Sequence, residues 1–322
     1  MLRPRQRLII SAIEEPLEND ESLEAGDADE ESEAVAREDL ADLAIAACLR
    51  LRGDVREATL FADEAGLTEL DPLLRFAMEL ADAADAIALQ HFRRDLQVSQ
   101  KPDRTYVTEA DIAIETNLRE RIARDYPEHG VLAEELGAGD ADRETRWIID
   151  PIDATHSYMR GIPAFATLIA LERAGFIELG VISAPAMQSR WHAVRGMGAW
   201  SGARRLHVSK IAQLHDAQIF YASRTAFVSV GKQRNFDAVI EATWRDRGFG
   251  DFWGYALVAE GAGEAMIEPE LYPWDLAAPL ILLEEAGGRL TDFNGRRTYA
   301  GGNAVASNGL VHDAILERLH HA

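Results

Sequence analysis

The sequence predicts a layered α/β (α+β) protein in which helices and mixed sheets alternate. Helical and strand-like periods are interleaved along the chain without a regular βαβ repeat, which favours stacked layers over a doubly wound parallel sheet. From Arg146 onward the spacing changes from helical to short apolar runs bounded by turn residues. With 322 residues, 47% of them hydrophobic, the chain can bury a sizeable core.

Residues 1–36 carry no hydrophobic period. From Glu14 to Asp39 thirteen acidic residues face only Arg37, and this run supplies −12 of the net charge of −22. Such a composition cannot bury enough apolar surface to offset the entropy of ordering, so 1–36 is expected to be an acidic disordered tail. Residues 37–70 form an extra helical segment in this reading, because Leu40, Leu43, Ala44, Ala47 and Leu51 fall at helical spacing. The globular body is expected over 71–322. It opens with Asp71 as N-cap and Pro72 at the first helical position, ahead of a stripe through Leu74, Ala77, Leu80, Ala81, Ala84, Ile87 and Ala88.

A further helix is expected from Glu109 or Ala110 to Asp125, stopped by Tyr126-Pro127. Trp147, Ile148 and Ile149 read as a short buried strand that ends at Asp150-Pro151. Phe165 to Glu172 and Phe176 to Ser183 read as strands joined through Arg173-Ala174-Gly175, and Ser189 to Val194 continues the sheet. Towards the C-terminus, helices are expected from Phe236 to Arg247, from Tyr255 to Glu260 and from Asp275 to Ala286, with a strand from Glu264 to Ile267.

Composition excludes several classes of function. Strong acidity disfavours nucleic acid as a partner, since phosphate backbones require clustered Lys and Arg. No apolar run approaches the roughly 20 residues that span a bilayer, so no membrane partner is expected. The single cysteine, Cys48, rules out an intrachain disulfide framework and fits a cytoplasmic protein.

Context singles out a few acidic residues. Asp150 and Asp153 follow an apolar strand, Glu134 and Glu135 follow Val131-Leu132-Ala133, Asp275 lies between Trp274 and an apolar helix, and Asp111 opens a helical pattern. Each alone could be a turn or cap residue. Together, without nearby His or Cys, they form a hard oxygen donor set that suits Mg²⁺ rather than zinc.

The segment Trp147-Ile-Ile-Asp150-Pro-Ile-Asp153-Ala-Thr155 resembles the WIxDPIDGT signature of the inositol monophosphatase family. Pro273-Trp274-Asp275-Leu276-Ala277-Ala278 is similar to that family's WDxAA signature, Ala133-Glu134-Glu135 to its GEE segment, and Asp103 through Val107-Thr108 to Asp111 to its DxVTxAD stretch. The four occur in family order and the resemblance covers roughly Asp71 to the C-terminus. It implies an αβαβα sandwich of the inositol monophosphatase and fructose-1,6-bisphosphatase type, a metal-dependent phosphomonoesterase activity with two to three Mg²⁺ ions per site, and a homodimer. By position it places Mg²⁺ on Glu134, Asp150, the Ile152 carbonyl, Asp153 and Asp275, with Asp111 near a weaker site. Thr155 would orient the attacking water with Asp111 or Glu134, and the N–H groups of Ala154 and Thr155 would grip phosphate. The family has Gly where this chain has Ala154. If φ there is positive the methyl costs on the order of 1 kcal/mol, and if φ is negative it costs nothing.

Within the family, Arg160-Gly161-Ile162-Pro163, Val181 through Ala186, Arg190-Trp191, Gly250-Asp251-Phe252 and Val258-Ala259-Glu260-Gly261 resemble bacterial histidinol-phosphatases of this fold. That resemblance implies hydrolysis of L-histidinol phosphate. Glu268, seven residues before Asp275, and Asp251 are then candidates to meet a cationic substrate, although either could accept sugar-like hydroxyls instead. Inositol 1-phosphate or another sugar-like monoester is the alternative substrate, and a non-enzymatic binding protein on the same fold is a third reading. His156, His192 and His207 are assigned no catalysis, and Trp191, Trp253 and Tyr255 read first as core.

Overall fold

The structure is a computed structural model that describes residues 70–101, 106–139 and 143–321. The acidic tail, the extra helical segment over 37–70 and Asp103 lie outside the described residues. In chain order, α1 (Leu70–His91) leads into a hairpin of β1 (Val98–Gln100) and β2 (Tyr106–Thr108), then α2 (Glu109–Asp125). Next come β3 (Gly130–Ala133), β4 (Ala138–Gly139), β5 (Thr145–Asp153), α3 (Thr155–Met159), β6 (Ala166–Arg173), β7 (Phe176–Ala184), β8 (Ser189–Val194), β9 (Gly198–Ser201) and β10 (Arg204–Arg205). The second half holds β11 (Gln218–Phe220), α4 (Arg224–Ser229), α5 (Gln233–Glu241), β12 (Arg245–Arg247), α6 (Asp251–Ala259), β13 (Ala265–Glu268), α7 (Pro273–Glu285), β14 (Arg289–Thr291), β15 (Ala304–Ser307) and α8 (His312–His321).

Two sheets carry the fold. One has eight strands in the order β10-β9-β8-β7-β6-β5-β3-β4 and the other five in the order β12-β11-β13-β15-β14. Three apolar clusters separate the layers. The stripes of α1 (Phe76, Ala77, Leu80, Ala84) and α2 (Ile114, Leu118, Ile122) pack on Trp147, Ile149, Ile169 and Val181 of the large sheet. The opposite face of that sheet, through Ile148, Leu168 and Ile182, packs on α6 and α7, which in turn cover Phe220, Met266 and Ala306 of the small sheet. The far face of the small sheet, Ile219, Ile267 and Val305, packs on Phe227, Phe236 and Ile315 of α4, α5 and α8. Alternate residues of one strand thus enter different clusters, as the two-residue period of a strand requires, and the stack is αβαβα. At Gly180 of β7 a Cβ would lie 2.7 Å from Ile281 Cγ2 and 3.0 Å from Ala278 Cα, so the missing side chain is what lets α7 lie against the large sheet.

Four local expectations need correction. Helix α1 already includes Leu70, so Asp71 and Pro72 lie inside it rather than at its N-cap and first position. The helix expected to run from Phe236 to Arg247 spans Gln233–Glu241, and Arg245–Arg247 is instead strand β12, paired in parallel with β11. Its charged Arg-Asp-Arg sequence suits the edge position it occupies, and its strand state comes from the long-range pairing rather than from local pattern. Helix α6 starts at Asp251, four residues before the expected Tyr255. The strand expected to stop at Asp150 continues through Asp153, with a register irregularity between them. The Arg173-Ala174-Gly175 connection is as expected: Ala174 and Gly175 have φ +50° and +82° and close a tight hairpin.

The outermost helix is fastened by a buried histidine in a fixed tautomer. Thr291 Oγ donates to the Asp292 carbonyl at 2.8 Å, so at 2.9 Å it accepts from His312 Nε2. His312 Nδ1 then accepts the Ser307 hydroxyl at 2.8 Å. Burial, reinforced by Arg289 and opposed by Asp313, lowers the His312 pKa to about 4. Between that value and the unfolded value of about 6.5 the unfolded chain binds a proton that the folded chain refuses. The stabilisation from His312 is therefore complete above pH 6.5 and is lost as pH falls towards 4. Denaturant unfolding should show the stability advantage of the wild type over His312→Gln shrinking across that interval; a constant difference would contradict the assignment.

Candidate active site

Local backbone devices on separate elements bring Asp150, Asp153 and Asp275 together, with Glu134 and Asp111 near enough to act on Asp150. In β5, Asp150 pairs with Leu168 and Asp153 with Ala166, so three steps on β5 oppose two on β6. Residues three apart in a regular strand face opposite sides, and the one extra residue of this bulge restores Asp150 and Asp153 to the same side. Pro151, which has no N–H to give a ladder, occupies the bulge, and the Thr167 hydroxyl donates to its carbonyl at 2.7 Å.

Asp111 and Asp275 are placed by a shared device. Each is the third residue of its helix and reaches back to the residue before the helix: Asp111 Oδ2 accepts Thr108 N–H at 2.8 Å and the Thr108 hydroxyl at 2.6 Å, and Asp275 Oδ2 accepts Tyr272 N–H at 2.7 Å. Asp153 Oδ2 accepts Phe252 N–H at 2.6 Å. In all three, one oxygen is anchored to backbone. Carboxylate oxygens of Asp150, Asp153 and Asp275 lie within 4.8 Å of one another. Among the described residues, Asp150 Oδ1 and Asp111 Oδ1 are buried without a hydrogen-bond partner, a costly state unless a ligand completes them.

The electrostatics record this crowding. Burial first, then the charges of Glu134, Asp153, Asp275 and Asp111, push Asp150 well above the usual carboxylate range. Burial and then Asp251, Asp275 and Glu268 do the same to Asp153. Asp275 rises to about 7 and Asp111 to about 6, in both cases chiefly by burial. An all-oxygen set in which like charges oppose one another fits a hard divalent cation. Glu134 faces the same cluster while its Oε1 accepts Lys101 Nζ at 2.8 Å. The Thr155 hydroxyl donates to the Ile152 carbonyl at 3.0 Å.

Ala154 settles the question its sequence position raised. It has φ +66° and ψ +45°, the left-handed conformation, and stands as N-cap of α3. The first-turn N–H groups lie outside the helical ladder, whose first acceptor, Ala154 O, is taken by Ser157 and Tyr158. The Cβ of Ala154 is thus carried at a strained position.

Asp251 and Glu268 lie beside the same cluster, since both raise Asp153. Glu268 is buried, accepts the Tyr255 hydroxyl at 2.6 Å, and is raised to about 8, first by burial and then by Asp251. Asp251 has φ +56°, and burial raises its pKa while His156 lowers it. The sequence reading missed Lys101, which binds both Glu134 and Glu135 at 2.8 Å; Tyr255 is core, as expected, and its hydroxyl also reaches Glu268. Glu115 was also missed; a carboxylate four residues after Asp111, inside the buried stripe of α2, was the available signal.

A model of the inositol monophosphatase family matches residues 69–322. The chain is 46% identical over 253 residues to a histidinol-phosphatase of Mycobacterium tuberculosis, covering 77% of this chain and 97% of the relative. It is also 46% identical over 258 residues to a histidinol-phosphatase of Streptomyces coelicolor, covering 77% and 96%. The solved structure of the Thermotoga maritima IMPase superposes with a TM-score of 0.69 at 30% identity, covering 77% of this chain and 96% of that one. Layering, acidic cleft and relatives together define a phosphoric monoester hydrolase. The chain belongs to the inositol monophosphatase family.

Replacing Ala154 by glycine removes the left-handed strain and should stabilise the fold by up to about 1 kcal/mol, read as a higher urea midpoint. An unchanged or lower midpoint would show that the methyl earns compensating contacts.

Proposed function

We propose that this protein is a Mg²⁺-dependent histidinol-phosphatase that hydrolyses L-histidinol phosphate to L-histidinol and phosphate. The observation that carries the reading is the second acidic centre, Asp251 and Glu268, set directly beside the Asp150, Asp153 and Asp275 cluster. A phosphate bound at the cluster would direct its alcohol portion towards that centre, and a buried carboxyl beside a partly buried one suits an ammonium or imidazolium group. The names of the relatives at 46% identity point the same way.

Glu134, Asp150, the Ile152 carbonyl, Asp153 and Asp275 would hold Mg²⁺, with Asp111 at a weaker site, for two to three ions in all. Bound there, the metal supplies the positive charge that offsets a phosphate dianion and acidifies water. Thr155, with Asp111 or Glu134, orients the attacking water. The N–H groups of Ala154 and Thr155 hold phosphate oxygens. Asp251, only partly buried, meets the cationic group first; Glu268, committed through one oxygen to Tyr255, offers its remaining acceptor capacity and ionises as the cation binds. Chemistry is assigned to 71–322, in a cytoplasmic homodimer.

In this reading histidinol phosphate has a higher kcat/KM than inositol 1-phosphate, by roughly tenfold to a hundredfold, because a charge-assisted hydrogen bond is worth about 1.5–3 kcal/mol and ring hydroxyls replace it poorly. Glu268→Gln or Asp251→Asn should erode that ratio, whereas Asp150→Asn should depress both substrates alike. Equal or better turnover of inositol 1-phosphate under the same magnesium and pH would refute the substrate and leave the hydrolase class standing.

A further inference from the structure

We infer that Glu115 is a positioning residue for the metal centre, acting through the loop that carries Glu134. The inference rests on the metal reading above. Glu115 sits on α2 one turn beyond Asp111, so the two carboxylates share a helix face, and its side chain is fully buried. A buried carboxylate persists only when it is hydrogen-bonded and paired, and three donors meet it. Glu115 Oε2 accepts Glu135 N–H at 2.7 Å, and Oε1 accepts Leu136 N–H at 3.0 Å and Arg119 Nε at 2.8 Å.

Those donors are informative by position. Glu135 and Leu136 immediately follow Glu134, and Arg119 also reaches the carbonyl of the next residue, Gly137. Two side chains one turn apart on α2 therefore grip three consecutive backbone groups just beyond a proposed ligand. Helix α2 fixes Asp111 at its third residue and the Glu134 loop at its seventh, so a single rigid element sets the spacing of two carboxylates that approach the cluster from different segments. Glu115 itself is absent from the cluster of oxygens. It acts by holding backbone, as outer partners of metal ligands do.

Glu115→Gln keeps size and shape but removes the charge and presents an NH₂ to N–H groups that need an acceptor. We expect the Kd for Mn²⁺, measured by calorimetry on the metal-stripped full chain, to rise tenfold to a hundredfold. The metal concentration for half-maximal turnover should rise in parallel, with most of kcat regained at saturating metal. Hydrogen exchange at the Glu135 and Leu136 amides should accelerate in the same variant. A merely structural role is separated by Glu172→Gln, which breaks another buried carboxylate, bound to Arg146 and Tyr299 four residues along β6 from the partner of Asp150; it should lower Tm without moving the Mn²⁺ Kd. If Glu115→Gln does not fold, Arg119→Ala removes one donor and the Gly137 contact, and should weaken Mn²⁺ binding by a smaller factor with faster exchange at the same amides. Wild-type binding with an unchanged Kd in the folded variant, or an equal fall in Glu172→Gln, overturns this inference alone. Failure of the wild type to bind Mn²⁺ overturns the metal reading as well.

Discussion

Several carboxylates held together in a poorly solvated cleft repel one another, and the fold around them is organised to resist that repulsion. Each is anchored through one oxygen or through its strand: Asp111 by Thr108, Asp153 by Phe252, Asp275 by Tyr272, Asp150 by the β5 bulge, and Glu134 by Lys101. The anchors are backbone N–H groups at helix starts wherever possible, where an acceptor is needed in any case. Burial first, and then repulsion among the oxygens, favours their protonated forms, and among the described residues Asp150 Oδ1 and Asp111 Oδ1 are buried without a partner. A divalent cation relieves both conditions at once. The site is thus preorganised by the backbone of the elements around it.

The sequence made the layered fold and the ligand candidates legible for different reasons. Helices α1 and α2 carry long periodic stripes that local pattern reveals, and the extent of α2 follows from that pattern alone. Asp150, Asp153, Glu134, Asp275 and Asp111 stand out because each interrupts or abuts an apolar run, where an unpaired charge demands a reason. Their convergence was not legible, because it depends on a bulge, and a bulge is a count of residues on two strands far apart in sequence. Strand β12 was misread on the same ground: Arg245, Asp246 and Arg247 have no strand pattern and become a strand only by pairing with β11. Ala154 is the converse case. Its identity raised a definite question about φ, and only the backbone could answer it.

In the proposed reading, substrate choice falls to the layer that covers the acidic cleft. Helix α6 contributes Asp251 at its first turn and Tyr255 one turn later, and β13 contributes Glu268 at its end, so two elements of the middle and small-sheet layers build the acidic wall opposite the β5 ligands. The wall is coupled to the cluster, since Asp153 accepts the Phe252 N–H beside Asp251. A shift of α6 would therefore disturb both Asp251 and the anchor of Asp153.

The central claim is that these carboxylates converge in order to hold a cation. Anomalous diffraction from crystals grown with Mn²⁺ tests it most directly. The account predicts strong anomalous peaks between Asp150, Asp153 and Asp275, with Glu134 on the same ion or its neighbour. An empty cleft under Mn²⁺, or peaks confined to other acidic residues, would contradict it.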